Sequence, residues 1–415
     1  MDNNNPKLLE DFLNLQVVDD LKKLTKLVFF EGKLPTRKAD IIAIITHELT
    51  TNLRDYWNAL DDIQQKAVAE TIYAKQFDAT GFRLKYNQEP NWGEQNQWSS
   101  RIVTPSLLNL FILPKGYNYH IGYQRVVPED LKTALKEWVP KPKPAQISLL
   151  ENRPTSVTLK GYTFNQKTYE REDVSVEYPL YHADTEQVAQ TDLLSVLRLI
   201  EIGNIRISDK TGFPTKNSLQ SITEILQMGD FYSDQELENT STEDSIGAIK
   251  AFAWPVLIHA AKLARSKSGK LELTPKGRKA LTQPTHETIK IIWQSWLTHT
   301  KFDELRRINA IKGQTGKGKR GLTPPSTRRD TIVQVIKKCP IGSWFEFEGF
   351  FNFMRILGHI LRVSEDPWEL YIDEKYYGNL GDNIGVLNLC YTLVFLFEYA
   401  ATLGLIDITY KRVII

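Results

Sequence analysis

The residue types that could carry out catalysis do not form a known catalytic pattern in this chain. Gly313, Gly318 and Lys319 have the spacing of a phosphate-binding P-loop, but Arg320 stands where that loop has the Ser or Thr that holds magnesium. The seven histidines are scattered, with no HExxH pair, and no GxSxG sequence marks a nucleophilic serine. The sequence therefore predicts a protein that is not an enzyme, with no cofactor, metal site or small-molecule substrate.

Other basic and polar residues have the types that contact nucleic acid. They are Arg206, Lys210, Thr215, Lys216, Asn217, Ser218 and Gln220, followed later by Lys270, Lys276 and Arg278. Residues of these types contact phosphates and set a recognition helix in a DNA groove, and Asn217, Ser218 and Gln220 fall in the first turn of the predicted recognition helix. We therefore predict DNA binding by this group. The alternative is that the segment binds a protein partner and that its charges are only solvated.

The strongest basic concentration lies further along the chain, at residues 312–329. This stretch contains six basic residues, no acidic residue, four glycines and two prolines. Such a composition predicts a linker without a packed core, which would add non-specific affinity for DNA. The residues expected to contact phosphates there are Lys317, Lys319, Arg320, Arg328 and Arg329.

Two helices and a wing are expected to position the first group of residues. One apolar stripe marks the first helix: Leu193, Val196, Leu197 and Ile200. Gly203 and Asn204 end that helix, and Thr215 or Ser218 can cap a second helix. The sequence KLELTPKGRKAL then predicts a short strand, a cap at Thr274 and a final helix. This order favours a winged-helix domain, in which the second helix is the recognition helix.

Three segments resemble the winged-helix region at the N-terminus of XPB-type helicases and of bacterial helicase-associated proteins. They are LLSVLRLIEIGNIRISDKTGFPTKNSLQSI, AFAWPVLIHAAKLA and GKLELTPKGRKAL, within residues 193–281. The chain has no Walker A motif that fits and no DEAD or DEAH box. The resemblance therefore implies DNA binding and does not imply helicase activity.

A second resemblance lies near the N-terminus. The sequence LPTRKADII at residues 34–42 is similar to the turn and second-helix start of the SAP motif, a helix-turn-helix unit of DNA-binding proteins. It implies that Arg37 and Lys38 lie at an exposed helix N-terminus, where amide groups and the helix dipole favour phosphate. The alternative is a helical hairpin with a solvated basic turn.

Composition predicts a folded protein in a reducing compartment. Hydrophobic residues make up 41% of the chain, and the net charge of +2 does not by itself indicate a polyanionic partner. The two cysteines are far apart, and the N-terminal sequence MDNNNPKLLEDF lacks the features of a signal peptide. The apolar run Val386–Phe397 is shorter than the ~20 residues that a membrane span requires. We therefore predict a cytoplasmic protein with no membrane contact.

The predicted fold is mainly α with short β wings, multi-domain, and built from winged-helix modules. The predicted segments are a helical N-terminal domain with a SAP-like hairpin at 1–140, a Pro-rich linker and extended connector at 141–184, a winged-helix domain at 185–283, a connecting helix at 284–311, a basic linker at 312–329, and a second winged-helix-like domain at 330–415. The predicted function is non-catalytic DNA binding, accessory to a helicase, nuclease or defence system. The alternative is a protein-interaction scaffold in a multi-subunit complex.

Overall fold

The fold is mainly helical with short antiparallel sheets, as the sequence predicted at that level. The structure is a computed structural model. It describes residues 6–28, 32, 34–96, 102–118, 122–164, 171–232, 247–307, 311–312, 322–359, 361–364, 371–374, 378–379 and 384–412. The chain forms two compact units. Unit 1 is Met1–Gln146 with Asn352–Gly358, and unit 2 is Ile147–Phe351 with His359–Ile415.

Unit 1 is a helical unit with two small hairpins. Its helices are α1 Leu9–Leu15, α2 Val18–Thr25, α3 Lys38–Thr51, α4 Leu53–Asn58, α5 Asp62–Tyr73, α6 Ala79–Tyr86, α7 Leu108–Phe111 and α8 Glu129–Lys136. The hairpins pair β1 Gly93–Gln95 with β2 Ile102–Pro105 and β3 Leu113–Asn118 with β4 Gly122–Val126. The buried stripe of α3 follows helical spacing through Ile41, Ile42, Ile45 and Leu49, so that α3 joins the core of this unit.

Unit 2 begins with a long β-hairpin and continues into the segment predicted to bind DNA. Its first elements are β5 Ser156–Phe164, β6 Arg171–Pro179, β7 Tyr181–Ala183, α9 Thr185–Glu201, α10 Lys216–Thr223, α11 Lys250–Ala260, β8 Ala264–Lys267, β9 Lys270–Leu273, α12 Pro275–Ala280 and α13 Thr285–Thr298. The predicted stripe of α9 is buried, and Gly203 follows the helix with φ +78°, a conformation that glycine adopts without strain. Thr274 caps α12 as predicted, since its Oγ1 accepts the amide of Gly277.

The remaining elements depart further from the predicted arrangement. They are a 3₁₀ helix at Glu304–Arg307, β10 Ile311–Lys312, α14 Pro325–Ile336, α15 Phe347–Ile356, β11 Tyr371–Glu374, β12 Gly378–Asn379, α16 Ile384–Val394, a π-helix at Phe395–Ala400 and β13 Ile408–Tyr410. The predicted linker at 312–329 overlaps α14, which begins at Pro325. β13 belongs to the predicted second winged-helix-like domain, yet it pairs with β7 and not with a neighbouring wing strand.

Helix α11 lies at the centre of unit 2 and is buried almost all round. It packs against α9, α10, α13 and the π-helix, and His259 is the one residue of the helix that is not fully buried. Its sequence is apolar on every face, which is typical of a helix inside a core. The structure therefore accommodates Pro255 inside a helix that is held on all sides by its neighbours.

The start of α11 is held by a buried carboxylate. Asp230 accepts the backbone amides of Phe231 at 2.7 Å, Ile249 at 3.1 Å, Lys250 at 3.0 Å and Ala251 at 3.0 Å. Lys250 then donates its Nζ to Asp192 of α9 at 3.1 Å. Burial raises the pKa of Asp192, and the Lys250 ammonium opposes that rise. Two buried carboxylates and one buried ammonium thus join α9 to α11.

Candidate nucleic-acid interface

Two short β-hairpins lie side by side after α9: residues 205–215 form one, and β8 with β9 forms the other. Residues 205–208 lie between β9 and residues 213–215. On one side Ile207 N donates to Gly269 O at 3.0 Å, and on the other Ser208 N donates to Phe213 O at 2.8 Å. The β8–β9 turn is formed by Ser268 and Gly269, which have φ of +47° and +70°, as two-residue hairpin turns require. The result is a small antiparallel sheet.

One face of this sheet carries a row of three cations in register. Arg206 lies opposite Lys270, and Lys270 lies opposite Lys267 on its other side. All three are exposed, whereas the alternating residues Ile205 and Leu271 are buried. Because side chains alternate along a strand, the three cations point to the same, solvent-facing side. We call Arg206, Lys270 and Lys267 the basic row.

The surroundings of the basic row carry charges of both signs. Arg265 is exposed on the same face and lies opposite Glu272. Glu272 forms ion pairs of 3.6 Å with Arg265 and 3.5 Å with Lys267. No ion pair joins Arg206 or Lys270 to a carboxylate within the described residues. Sequence reasoning missed Arg265 and Lys267, because only the strand register shows that they share a face with Arg206.

Helix α10 presents its first turn beside this row. Of the two predicted caps, Thr215 is the N-cap residue, but its side chain does not bond the helix amides. Lys216, Asn217 and Gln220 are exposed. Gln220 donates to Glu224 at 3.3 Å, so a carboxylate lies on the same exposed side of the helix.

Ser218 corrects one predicted contact with DNA. It is only 1% exposed, and its Oγ accepts the Arg206 amide at 2.8 Å and donates to the Arg206 carbonyl at 3.0 Å. Its hydroxyl is therefore used to fasten α10 to the strand that carries Arg206. Ser218 positions the basic row and does not reach solvent.

Lys276 and Arg278 lie on α12, where both are exposed. Each also has a backbone acceptor: Arg278 donates to the Leu273 carbonyl at 3.0 Å, and Lys276 donates to the Ala261 carbonyl at 3.4 Å. At the tip of the other hairpin, Lys210 is exposed with no acceptor among the described residues. Asp209 beside it is the nearest acidic residue in sequence.

Arg328 and Arg329 were predicted to contact DNA from a flexible linker, and the structure shows that this prediction is wrong. They are 1% and 0% exposed. Arg328 forms an ion pair with Asp303, and Arg329 forms one with Glu304 at 2.5 Å. Both guanidinium groups are neutralised inside unit 2 and cannot reach a phosphate. The other predicted linker residues, Lys317, Lys319 and Arg320, lie outside the described residues.

Arg37 and Lys38 belong to unit 1 and start α3, as the predicted hairpin required. Arg37 is exposed at the N-cap position. Lys38 is half-buried, and its Nζ donates to the Asn14 carbonyl at 2.7 Å. Arg37 thus remains free for a phosphate, while the ammonium of Lys38 already has a partner at the end of α1.

An aromatic stack supports the hairpin that carries Lys210. The ring centroid of Phe213 lies 5.1 Å from that of Phe252 and 6.2 Å from that of Phe302. Phe302 in turn contacts His299 at 5.2 Å and His259 at 5.7 Å. Burial lowers the pKa of His299 to about 4, with Arg329, His259, Lys301 and Lys262 adding to the effect, and burial also lowers the pKa of His259. The neutral imidazole is therefore the form that packs under this hairpin.

Because folding lowers the pKa of His299 from 6.5 to about 4, we expect the free energy of unfolding to fall as the pH drops through that range. In that window the unfolded chain binds a proton at residue 299 and the folded chain does not, so protonation favours unfolding. We expect His299 to account for about 1–2 kcal/mol, allowing for its partial exposure. Chemical denaturation across this range measures the slope. His299→Gln should flatten it and His286→Gln, at an exposed site, should not; equal slopes in all three proteins would contradict the assignment.

Comparison of the chain with protein-family models, curated proteins and solved structures gives no match. Within the described residues, no group of three or more His, Cys, Asp or Glu side chains could hold a metal ion. No described helix is long and apolar enough to cross a membrane. Within the described residues, the basic row and its surroundings are therefore the features that bear on function.

Proposed function

We propose that residues 185–283 form a winged-helix module that binds DNA without catalysing a reaction on it. The basic row carries this proposal. Like charges directly opposite each other on neighbouring strands are destabilising. The sheet nevertheless places Arg206 and Lys267 on either side of Lys270. Two carboxylates partly offset these charges: Glu272, which is paired with Lys267, and Asp209, which lies beside Gly269. A line of phosphates would remove that repulsion, because each cation would gain an anionic partner.

The order of elements supports the winged-helix part of the proposal. Within the described residues of this segment, a helix, an extended segment, two helices and a β-hairpin occur in that order, and the extended segment joins the edge of that hairpin. This is also the order expected from the resemblance to helicase-associated winged helices. This module differs in one respect from DNA-binding domains that insert the helix before the hairpin into the major groove. In this chain that helix, α11, is buried. The proposed contacts are therefore made by the sheet face, the Lys210 hairpin and the first turn of α10.

Two further parts of the proposal concern the setting of this module. Arg37 supplies an additional phosphate contact from unit 1, as the SAP-like sequence implies. The proposed role is accessory to a helicase, nuclease or defence system, in the cytoplasm, where the unpaired Cys339 and Cys390 stay reduced.

Removing two members of the basic row tests the proposal. We expect Arg206→Ala with Lys270→Ala to weaken binding to a labelled DNA duplex about tenfold and to reduce the salt dependence by about two phosphate contacts. Fluorescence anisotropy at several salt concentrations measures both effects. The matched control is Lys22→Ala with Lys26→Ala, which removes the same charge from α2 and the residue that follows it. Equal loss in both variants, or no binding to any duplex or single strand at low salt, would reject the proposal.

A protein-interaction role is the second candidate function, and the β5–β6 hairpin favours it. Its nine residue pairs place Val157, Leu159, Val174 and Val176 on one face. Leu159 is 46% exposed and Val176 is 41% exposed. A two-stranded hairpin is marginally stable alone in water, so an apolar partner would stabilise it.

A further inference from the structure

We infer that two copies of this chain associate through the outer edge of β5, which pairs antiparallel with the same edge of the second copy. The residues of this edge are not those of the basic row, so association through it goes beyond DNA binding and does not depend on it. The second copy is also a specific partner for the β5–β6 hairpin, which is the surface of the second candidate function.

The β5–β6 hairpin has an outer edge on each of its strands. Within the described residues, the two strands pair only with each other, through nine residue pairs. Both faces of the hairpin are exposed as well, since Leu159 is 46% exposed on the apolar face and Tyr162 is 54% exposed on the other. A two-stranded hairpin gains stability when further strands extend it and pack beside its apolar residues.

The hydrogen bonds of this hairpin show which backbone groups point away from it. Leu180 N donates to Thr155 O at 2.8 Å, so this pair, which adjoins the end of the ladder, is hydrogen-bonded. Because hydrogen-bonded and non-hydrogen-bonded pairs alternate along an antiparallel ladder, the next pair is non-hydrogen-bonded, which suits Pro179 because it has no N–H. The same alternation turns toward the outer edge of β5 the N–H and C=O groups of Ser156, Thr158, Lys160 and Tyr162.

A two-fold axis at Leu159 lets these outward groups bond one another. Strands related by such an axis run antiparallel, so Leu159 lies opposite its own copy and Thr158 lies opposite Lys160. Ser156 then lies opposite Tyr162, and each of these pairs joins residues whose N–H and C=O groups point outward. A second copy therefore offers a matching edge by symmetry alone, whereas a strand of another sequence matches only by chance.

The same register brings the apolar residues of the two copies together. One face of each hairpin carries Val157, Leu159, Val174 and Val176. In the dimer these two faces become one face of a four-stranded sheet, with the two Leu159 side chains side by side at its centre. Cross-strand contacts between such side chains are the main source of stability in a sheet.

The charges of the two strands favour β5 as the edge that pairs. Lys160 is the only charged residue of β5, and with the axis at Leu159 it faces an uncharged residue, with Glu177 on the strand beyond. An axis at Lys160 would instead place two ammonium groups directly opposite each other, which is destabilising. The outer edge of β6 carries Asp173, Glu177 and Pro179, and charged residues and proline discourage pairing at an edge.

Sedimentation equilibrium of the full chain measures this association. We expect a reversible dimer, with an average mass that rises with concentration above the 47.7 kDa of one chain. Thr158→Pro removes one outward N–H of β5 and keeps the hydrogen bonds inside the hairpin, so it should raise the dimer dissociation constant at least about tenfold. The matched control is Ser175→Pro, which removes an outward N–H from β6 and should leave the constant unchanged.

Introduced cysteines report the register of the pairing. In a background of Cys339→Ser and Cys390→Ser, we expect Leu159→Cys to form a disulfide between two copies under mild oxidation. Directly opposite residues of a non-hydrogen-bonded pair have their Cα atoms ~4.5 Å apart, which suits a disulfide. Val176→Cys should not cross-link, because Val176 is exposed on the same face but lies on the strand farther from the axis.

Four outcomes would overturn the inference. One is a monomer at every concentration, which would leave the hairpin to a different protein. Another is a dimer that Thr158→Pro does not weaken, and a third is a dimer that both proline variants weaken equally. The last is cross-linking of Leu159→Cys no faster than that of Val176→Cys, and this comparison decides the case if a proline variant does not fold.

Discussion

Replacing Arg329 with alanine is expected to lower the free energy of unfolding by about 3–5 kcal/mol, because one partner of a buried ion pair is removed and the other is left uncompensated. Arg329 donates to the Glu304 carboxylate at 2.5 Å, to the His299 carbonyl at 2.6 Å and to the Phe302 carbonyl at 2.8 Å. Its guanidinium also lies 3.8 Å from the ring centroid of Trp296. Thermal or chemical denaturation of the variant measures the loss.

The control for this variant is Arg306→Ala, since Arg306 lies on the same 3₁₀ helix as Glu304 but is exposed. We expect it to change stability by less than about 0.5 kcal/mol. Replacing both partners, with Arg329→Met and Glu304→Leu, should cost less than the sum of the two single variants, because no charge then remains buried without a partner. Equal stability of Arg329→Ala and Arg306→Ala would show that the buried pair is not formed.

The second large effect is expected at Asp230, where alanine should destabilise unit 2 by about 3 kcal/mol. The variant leaves the amides of Phe231, Ile249, Lys250 and Ala251 without their acceptor in a buried setting. Because α11 is the central helix of the unit, its loosened start should weaken the whole unit. Denaturant titration followed by tryptophan fluorescence is suitable, since Trp254 lies on α11 and is fully buried.

Two further variants make the Asp230 result specific. Asp230→Asn retains one oxygen acceptor and should lose roughly half as much as alanine. Asp40→Ala removes an exposed acidic residue from the first turn of α3 and should change stability by less than about 0.5 kcal/mol. A variant Asp230→Ala as stable as the unmodified protein would refute the capping role.

Local features of the fold were predictable from sequence because short-range interactions determine them. Gly203 ends α9 and Thr274 caps α12, and each effect involves residues within one turn. Arg206 and Lys270 were predicted from their residue types to contact phosphates, and both are exposed. For the candidate interface, the sequence thus identified two of the three cations in the basic row.

The remaining features depend on partners that are distant in sequence. In the sequence, Arg328 and Arg329 look like part of a solvated basic segment. The carboxylates that neutralise them, Asp303 and Glu304, lie in an earlier part of the chain. Ser218 resembles a helix-start residue that could contact DNA, but the Arg206 backbone occupies its hydroxyl. In each case, a local pattern of charges or hydroxyl groups could not show which groups were already paired.

The pairing of β13 with β7 has a consequence for how the chain folds during synthesis. Ala183 pairs with Ile408, so the ribosome makes the two strands about 10–45 s apart at roughly 5–20 residues per second. Until then, Phe231 and Ile249 lack Ala401 and Ile408, their partners in one buried cluster. The nascent chain must therefore keep an apolar surface unburied while most of unit 2 is already made. We therefore expect unit 2 to finish folding only after β13 has left the ribosome.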